Sequence, residues 1–401
     1  MNAPQGGPGN AASGQFWTLC SGILLMFVGH TMIIPLAPLY SLELGASPAV
    51  IGVVISAAFF FPLLLAVPAG SLVDRYGSRG ILIVGTLLVG LSPFLIPLFP
   101  GFASLGLVQV FNGLGQLIAV IGAQSYVATL GSGRTREQYF GWYSTFISVG
   151  QLLGPLLAGV AVDLLGFEAA FALSGIAASL AVVQVVRLRR TGSPANREPH
   201  HFPTPAQMGH LLRFPSVQLA LLVSGTMMIP LMGSTSFLPA YLDLLSYPAT
   251  LIGAVISFRA LVTIVVRPFM PRIIAALGGR LRTLTAMTAV CALGLAAIAH
   301  GSLWVLLLVA VLMGIGLGIA QPLTMVTVVE EVSAAQRGTV FGVRLTANRF
   351  MQVVGPLALG LLAQLVGYRA MFPIAALATA ATVLLLVMGR RHFARSEAAG
   401  V

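Results

Sequence analysis

GSLVDRYGSRG, residues 70–80, is a compact charged hairpin set between two long apolar runs, about 50–69 and 81–99, that carry no charge. It contains Gly70, Asp74, Arg75, Gly77 and Arg79. Runs of about 20 apolar residues are long enough to cross a hydrocarbon core roughly 30 Å thick. A loop this short between two of them forces the helices to lie antiparallel and side by side. The glycines permit tight turns, and Asp74 can accept hydrogen bonds from an arginine or from helix-end amides.

The rest of the chain has the same character. Of 401 residues, 57% are hydrophobic and only 8% charged, against about 25% charged in a soluble domain. So few charges cannot cover a water-facing surface of this size, which makes the chain an all-α integral membrane protein. All 21 basic residues are arginines. The missing lysine removes the phosphate-gripping lysine of a Walker A loop, so ATP-driven transport by this chain alone is not expected. Cys20 and Cys291 both lie inside apolar runs and read as packing residues. Residues 1–15 carry no charge, lack the basic start of a secretory signal, and read as a disordered tail.

Counting apolar runs gives twelve spans: 16–41, 49–71, 80–99, 103–130, 138–162, 168–188, 217–241, 249–271, 283–300, 303–329, 338–363 and 368–389. A polar stretch, 189–214, separates six from six. The division is therefore an N-terminal bundle (16–188), a linker (189–214), a C-terminal bundle (215–390) and a tail (391–401). The halves repeat at a constant offset of 201 residues: Pro38 and Tyr40 match Pro239 and Tyr241, Gly113 and Gly115 match Gly314 and Gly316, and Gly154-Pro155 matches Gly355-Pro356. An offset that holds across six spans marks parallel repeats.

With the N-terminus placed inside, 17 of the 21 arginines fall in cytoplasmic loops and tails. The outer side holds only Arg369, with Glu43, Asp163, Glu168 and Asp243. By the positive-inside rule both termini are cytoplasmic, and a bacterial inner membrane is expected. The basic excess is an orientation signal, so no nucleic-acid partner is expected. His200, His201 and His210 fall in the linker, whose composition explains them without a metal.

The hairpin at 70–80 resembles the G-x-L-x-D-R-x-G-x-R signature between the second and third helices of the major facilitator superfamily, and the repeat extends that resemblance over nearly the whole chain. The resemblance implies two parallel-repeat six-helix bundles that rock around a midplane cavity. It also implies that Gly70, Asp74, Arg75, Gly77 and Arg79 act as a cytoplasmic latch. The second copy of the loop carries Ala275 and Ala276 in place of Asp74 and Arg75. In the fifth span Gly150, Gly154, Pro155 and Gly159 resemble the G-x(3)-G-P-x(2)-G-G pattern of antiporters, with Ala158 in place of one glycine. With Gly355 and Pro356 they are candidate gating positions, and they favour export. In the fourth span Gln109 stands where many members carry an arginine linked to proton coupling.

Ionisable groups inside spans are costly and functional by default. Three stand well within: Arg259 in span eight, Arg344 and Arg349 in span eleven. Arg259 is about ten residues from the outer end of its span, roughly 15 Å deep. Arg344, Asn348 and Gln352 share one helical face. In the family these helices flank the cavity, so the arginines would attract a carboxylate or phosphate. Otherwise they pair with Glu330, Glu331 or loop carbonyls and brace the C-terminal half. His30, Asn112, Gln116, Gln124 and Gln321 are further substrate-contact candidates. His30, Glu330 and Glu331 are the candidates for carrying a proton, the expected coupling ion. No HExxH or GxSxG set suggests an enzyme, and no cofactor is expected. The partners are a small molecule and the bilayer, with a monomer favoured. The expected function is transport of an amphipathic organic anion. The competing reading is proton-coupled drug efflux of neutral or cationic compounds, which a buried acid, missing here, would favour.

Overall fold

A computed structural model of the chain describes residues 8–65, 73, 75–190, 211–330, 336–390 and 393. Ten apolar helices are long enough to span a membrane, and no strand occurs among the described residues. Two of the ten, Gly133–Val186 and Arg337–Met388, have 54 and 52 residues. At 1.5 Å per residue such lengths are more than twice a bilayer core. Each is broken by a glycine with non-helical angles, Gly166 (φ 81, ψ 174) and Gly367 (φ 79, ψ 158). Divided there, the described residues form twelve spans. They are α1 (Pro8–Glu43), α2 (Pro48–Leu65), α3 (Ser78–Leu98), α4 (Phe102–Leu130) and α5 and α6 on either side of Gly166. Next come α7 (Pro215–Leu244), α8 (Ala249–Leu277), α9 (Arg280–His300), α10 (Leu303–Glu330) and α11 and α12 on either side of Gly367. Residues 66–72, Asp74 among the residues that follow them, and most of the linker lie outside the described residues.

The backbone carries the 201-residue repeat independently of side-chain identity. Positive φ angles recur at Gly45 and Ser246, Gly77 and Gly278, and Gly166 and Gly367. Ser246, at φ 61, holds in the second copy a conformation that glycine holds in the first. Equivalent turns thus survive even where the residue suited to them has been replaced.

The angles at Gly166 and Gly367 are accessible to little but glycine, while nothing lies within 4 Å of a Cβ built at either. Any cost of substitution is therefore purely backbone strain. Gly166→Ala and Gly367→Ala should each lower stability by about 2 kcal/mol, read as a lower unfolding midpoint in detergent; unchanged midpoints would contradict the tight turn.

By contacts the chain divides into two compact units: Met1–Ala37 with Ala57–His201, and Pro38–Ser56 with Phe202–Val401. Residues 38–56 group with the second unit although they belong to the N-terminal half of the sequence. The cause is close backbone packing. A Cβ on Gly52 would sit 3.2 Å from the Pro356 carbonyl carbon, one on Gly360 would lie 2.7 Å from Pro48 O, and Ser56 Oγ donates to Val353 O at 2.7 Å.

The first unit is centred on Ile23, Met26, Leu82, Ala119, Tyr126 and Ala178, all buried. Small residues set its spacing: a Cβ on Gly85 would lie 2.7 Å from Gly115 O, fixing α3 against α4. In the second unit Gly314 does the same for α8 and α10, where its Cβ would come within 2.9 Å of Arg259 O. Large apolar residues such as Trp304 and Leu365, each 81% exposed, cover the outside, a surface suited to lipid and not to water.

Candidate functional site

Arg259, Arg344 and Arg349 look alike in sequence, and the structure separates them. Arg344, on α11, is 7% exposed. Its Nη2 donates to Gln321 O at 3.0 Å, Gln321 Oε1 at 3.1 Å and Thr324 Oγ1 at 2.7 Å, all on α10. The side chain ties α11 to α10 through neutral groups. The pairing envisaged with Glu330 or Glu331 cannot be traced, since the Glu330 side chain and all of Glu331 lie outside the described residues. Arg349 makes one bond, from Nη1 to Gln352 Oε1 at 3.0 Å, three residues on. Its Nε and the Oδ1 of Asn348 are buried without a partner.

Arg259, on α8, is different in kind. Among the described residues nothing hydrogen-bonds or ion-pairs with its guanidinium, and its Nε is buried. It lines a small cavity inside the second unit with Ser234 and Leu238 from α7, Val255 and Ile256 from its own helix, and Val309, Ala310 and Met313 from α10. The walls are apolar except for the hydroxyl of Ser234. An unneutralised guanidinium in such surroundings carries a desolvation cost of several kcal/mol, which an arriving anion would offset.

The α7 wall was not anticipated from sequence. Residues Gly233–Phe237 form a π turn inside the helix, with all five residues buried. Turns of this kind are rare and concentrate at functional sites. The run Gly233-Ser234-Thr235-Ser236, between Pro230 and Pro239, is the signal that could have pointed to it.

In the first unit His30 Nδ1 and Asn112 Oδ1 form a short hydrogen bond between α1 and α4. Asn112 Nδ2 is buried without a partner. Gln116 is half-buried and Gln124 exposed, so the face shared by Asn112, Gln116 and Gln124 is not gathered into one network. The candidate gating glycines lie where α5 meets α1. Thr31 Oγ1 donates to Gly150 O at 2.9 Å, and Cβ atoms on Gly150 and Gly154 would lie 3.2 Å from Val28 N and 2.8 Å from Val28 O. Pro155 and Gly159 are buried on the same helix. The second copy is looser, with a Cβ on Gly355 meeting Met232 Cγ at 3.8 Å. In the hairpin, Gly70 and Asp74 lie outside the described residues. Arg75 stacks on Tyr76 at 5.3 Å, and Arg79 Nη2 donates to Val186 O at 2.6 Å, capping the last turn of α6.

Twelve apolar spans in a twofold internal repeat among the described residues, with cationic and polar groups buried between them, define an all-helical membrane-embedded protein built of two related halves. The chain belongs to the Major Facilitator Superfamily, whose profile matches residues 19–356 and again 250–400. It is 27% identical over 145 residues to the quinolone resistance protein NorA of Staphylococcus aureus (strain Mu50 / ATCC 700699), covering 36% of this chain and 37% of that protein. It is 26% identical over 185 residues to multidrug resistance protein 1 of Bacillus subtilis (strain 168), covering 45% and 46%. The matched stretches thus span less than half of these relatives. Among solved structures, a nucleoside transporter NupG variant superposes with a TM-score of 0.76 at 16% identity, over 93% of this chain and 99% of that one. A peptide transporter POT bound to sulfate gives 0.77 at 15%, over 95% of each. At these identities the likeness establishes the fold alone.

Proposed function

We propose that this transporter expels amphipathic, drug-like molecules bearing an anionic group, by alternating access, with Arg259 as the anchor for the negative charge. The observation that carries the reading is the unpartnered guanidinium of Arg259 in an otherwise apolar cavity. It is a bidentate donor with no acceptor among the described residues, beside surfaces suited to the apolar remainder of a ligand. The export direction draws support from the drug-resistance relatives and from the closely packed glycines of α5. Arg349 is a secondary candidate, while Arg344 serves as a brace between helices. The arginine distribution supports a cytoplasmic-membrane protein with both termini inside.

The test is accumulation in cells expressing the full chain, using a quinolone with its free carboxylate, the corresponding ester, and the lipophilic cation ethidium. The acid should be excluded several-fold more strongly than the ester, and Arg259→Met at equal expression should abolish that difference. Exclusion of the acid unaffected by Arg259→Met would sink the reading. Exclusion of ethidium alone would replace it with export of neutral or cationic compounds, the competing reading.

A further inference from the structure

The cavity beside Arg259 has one other polar group, and its bonding makes it available. Ser234, 2% exposed, belongs to the π turn of α7. Such a turn arises here for a local reason. Pro239 has no N–H, so the α-helical partner it would supply to the carbonyl four residues earlier is missing. Just before it, Leu238 N–H reaches back five residues to Gly233 O, the π bond. Within this wide turn two hydroxyls converge on one acceptor: Thr235 Oγ1 donates to Leu231 O at 2.7 Å and Ser234 Oγ donates to the same oxygen at 3.1 Å. Thr235 alone satisfies that carbonyl. The longer bond from Ser234 is the expendable one, and Ser234, unlike Thr235, faces the cavity.

We propose that Ser234 is the second donor of a two-point grip on the substrate's carboxylate, one oxygen held by the Arg259 guanidinium and the other by the Ser234 hydroxyl turned away from Leu231 O. The inference rests on the reading of Arg259 as an anion anchor and adds the residue that orients the bound group. In this conformation the cavity has room for roughly one water molecule. A carboxylate therefore enters as a wall yields, and the wall with the least regular hydrogen bonding is the turn Gly233–Phe237 that carries Ser234. Once that wall has yielded, the apolar lining residues, among them Leu238, Val255, Ile256, Val309 and Met313, offer surface to an aromatic or aliphatic body behind the carboxylate.

The experiment is thermal stabilisation of the purified full-length protein by 2-naphthoate, with 2-naphthamide as the uncharged control of the same shape. In the unsubstituted protein only the carboxylate should raise the unfolding midpoint. Ser234→Ala should weaken the apparent affinity for 2-naphthoate about tenfold, the scale of one charge-assisted hydrogen bond. Ser234→Gly serves as a second variant if the first folds poorly. Thr235→Val, which removes the stronger donor to Leu231 O, should lower the midpoint without ligand and leave the affinity unchanged. Arg259→Met should abolish the carboxylate effect, and adding Ser234→Ala to it should cost nothing further. Unchanged affinity in Ser234→Ala, with loss in Arg259→Met, overturns the role of Ser234 and leaves the anchor standing. Equal responses to acid and amide, no response to either, or a response indifferent to Arg259→Met overturns both.

Discussion

Gly113→Ala is expected to destabilise the first unit by about 3 kcal/mol, a fall of roughly 10 °C in unfolding midpoint. A Cβ at this position of α4 would overlap the carbonyl oxygen of Ala58 on α2 and come within 2.7 Å of its carbonyl carbon. The obstacle is backbone, so no side-chain rotation relieves it; the two helices must separate, and every contact along their seam loosens. Gly106→Ala, one and a half to two turns earlier on α4, is the matched control. Nothing lies within 4 Å of its Cβ, so it should be neutral or gain up to about 1 kcal/mol from helix propensity. Both midpoints can be read by differential scanning fluorimetry in detergent. Equal midpoints for the two variants would mean that α2 and α4 are not held at their spacing by Gly113.

That seam also shows what could be read from the chain beforehand. Membrane spans follow from local composition, so all twelve were legible, and Gly113 was legible through its partner Gly314 at the repeat offset. The breaks at Gly166 and Gly367 were legible for the same reason, since each is a glycine between two apolar runs. The grouping of residues 38–56 with the second unit was not. It depends on Gly52 meeting Pro356 and Gly360, some three hundred residues away, and no local pattern announces which small residues will face each other. The π turn of α7 was not read. Pro230, Gly233 and Pro239 could have signalled an interruption, but which face Ser234 then presents depends on the helices packed against it. The arginines illustrate the limit most directly. Each is a cation inside a membrane span. What distinguishes them lies on other helices: Gln321 and Thr324 opposite Arg344, and aliphatic side chains with one hydroxyl around Arg259.

That difference predicts opposite outcomes for the same substitution. Arg344→Met keeps the apolar stem but deletes the three bonds to α10 and leaves Gln321 Oε1 without its donor. Stranding a buried acceptor costs about 1–3 kcal/mol, and removing a buried charge returns part of that. The net expectation is a loss of about 2 kcal/mol. Arg259→Met strands nothing, because no described group depends on that guanidinium. It replaces a partly buried, unneutralised cation with an apolar chain of similar reach, which should leave the protein as stable or about 1 kcal/mol more stable. Unfolding midpoints of the two variants in lipid nanodiscs therefore should move apart, while anion binding fails only in Arg259→Met. A residue whose removal improves stability and abolishes ligand response is held in place by function, since packing gains nothing from it. Should Arg259→Met instead lose as much stability as Arg344→Met, Arg259 would be a brace, and the anion anchor would have to be sought at Arg349, whose buried Nε is likewise unpartnered.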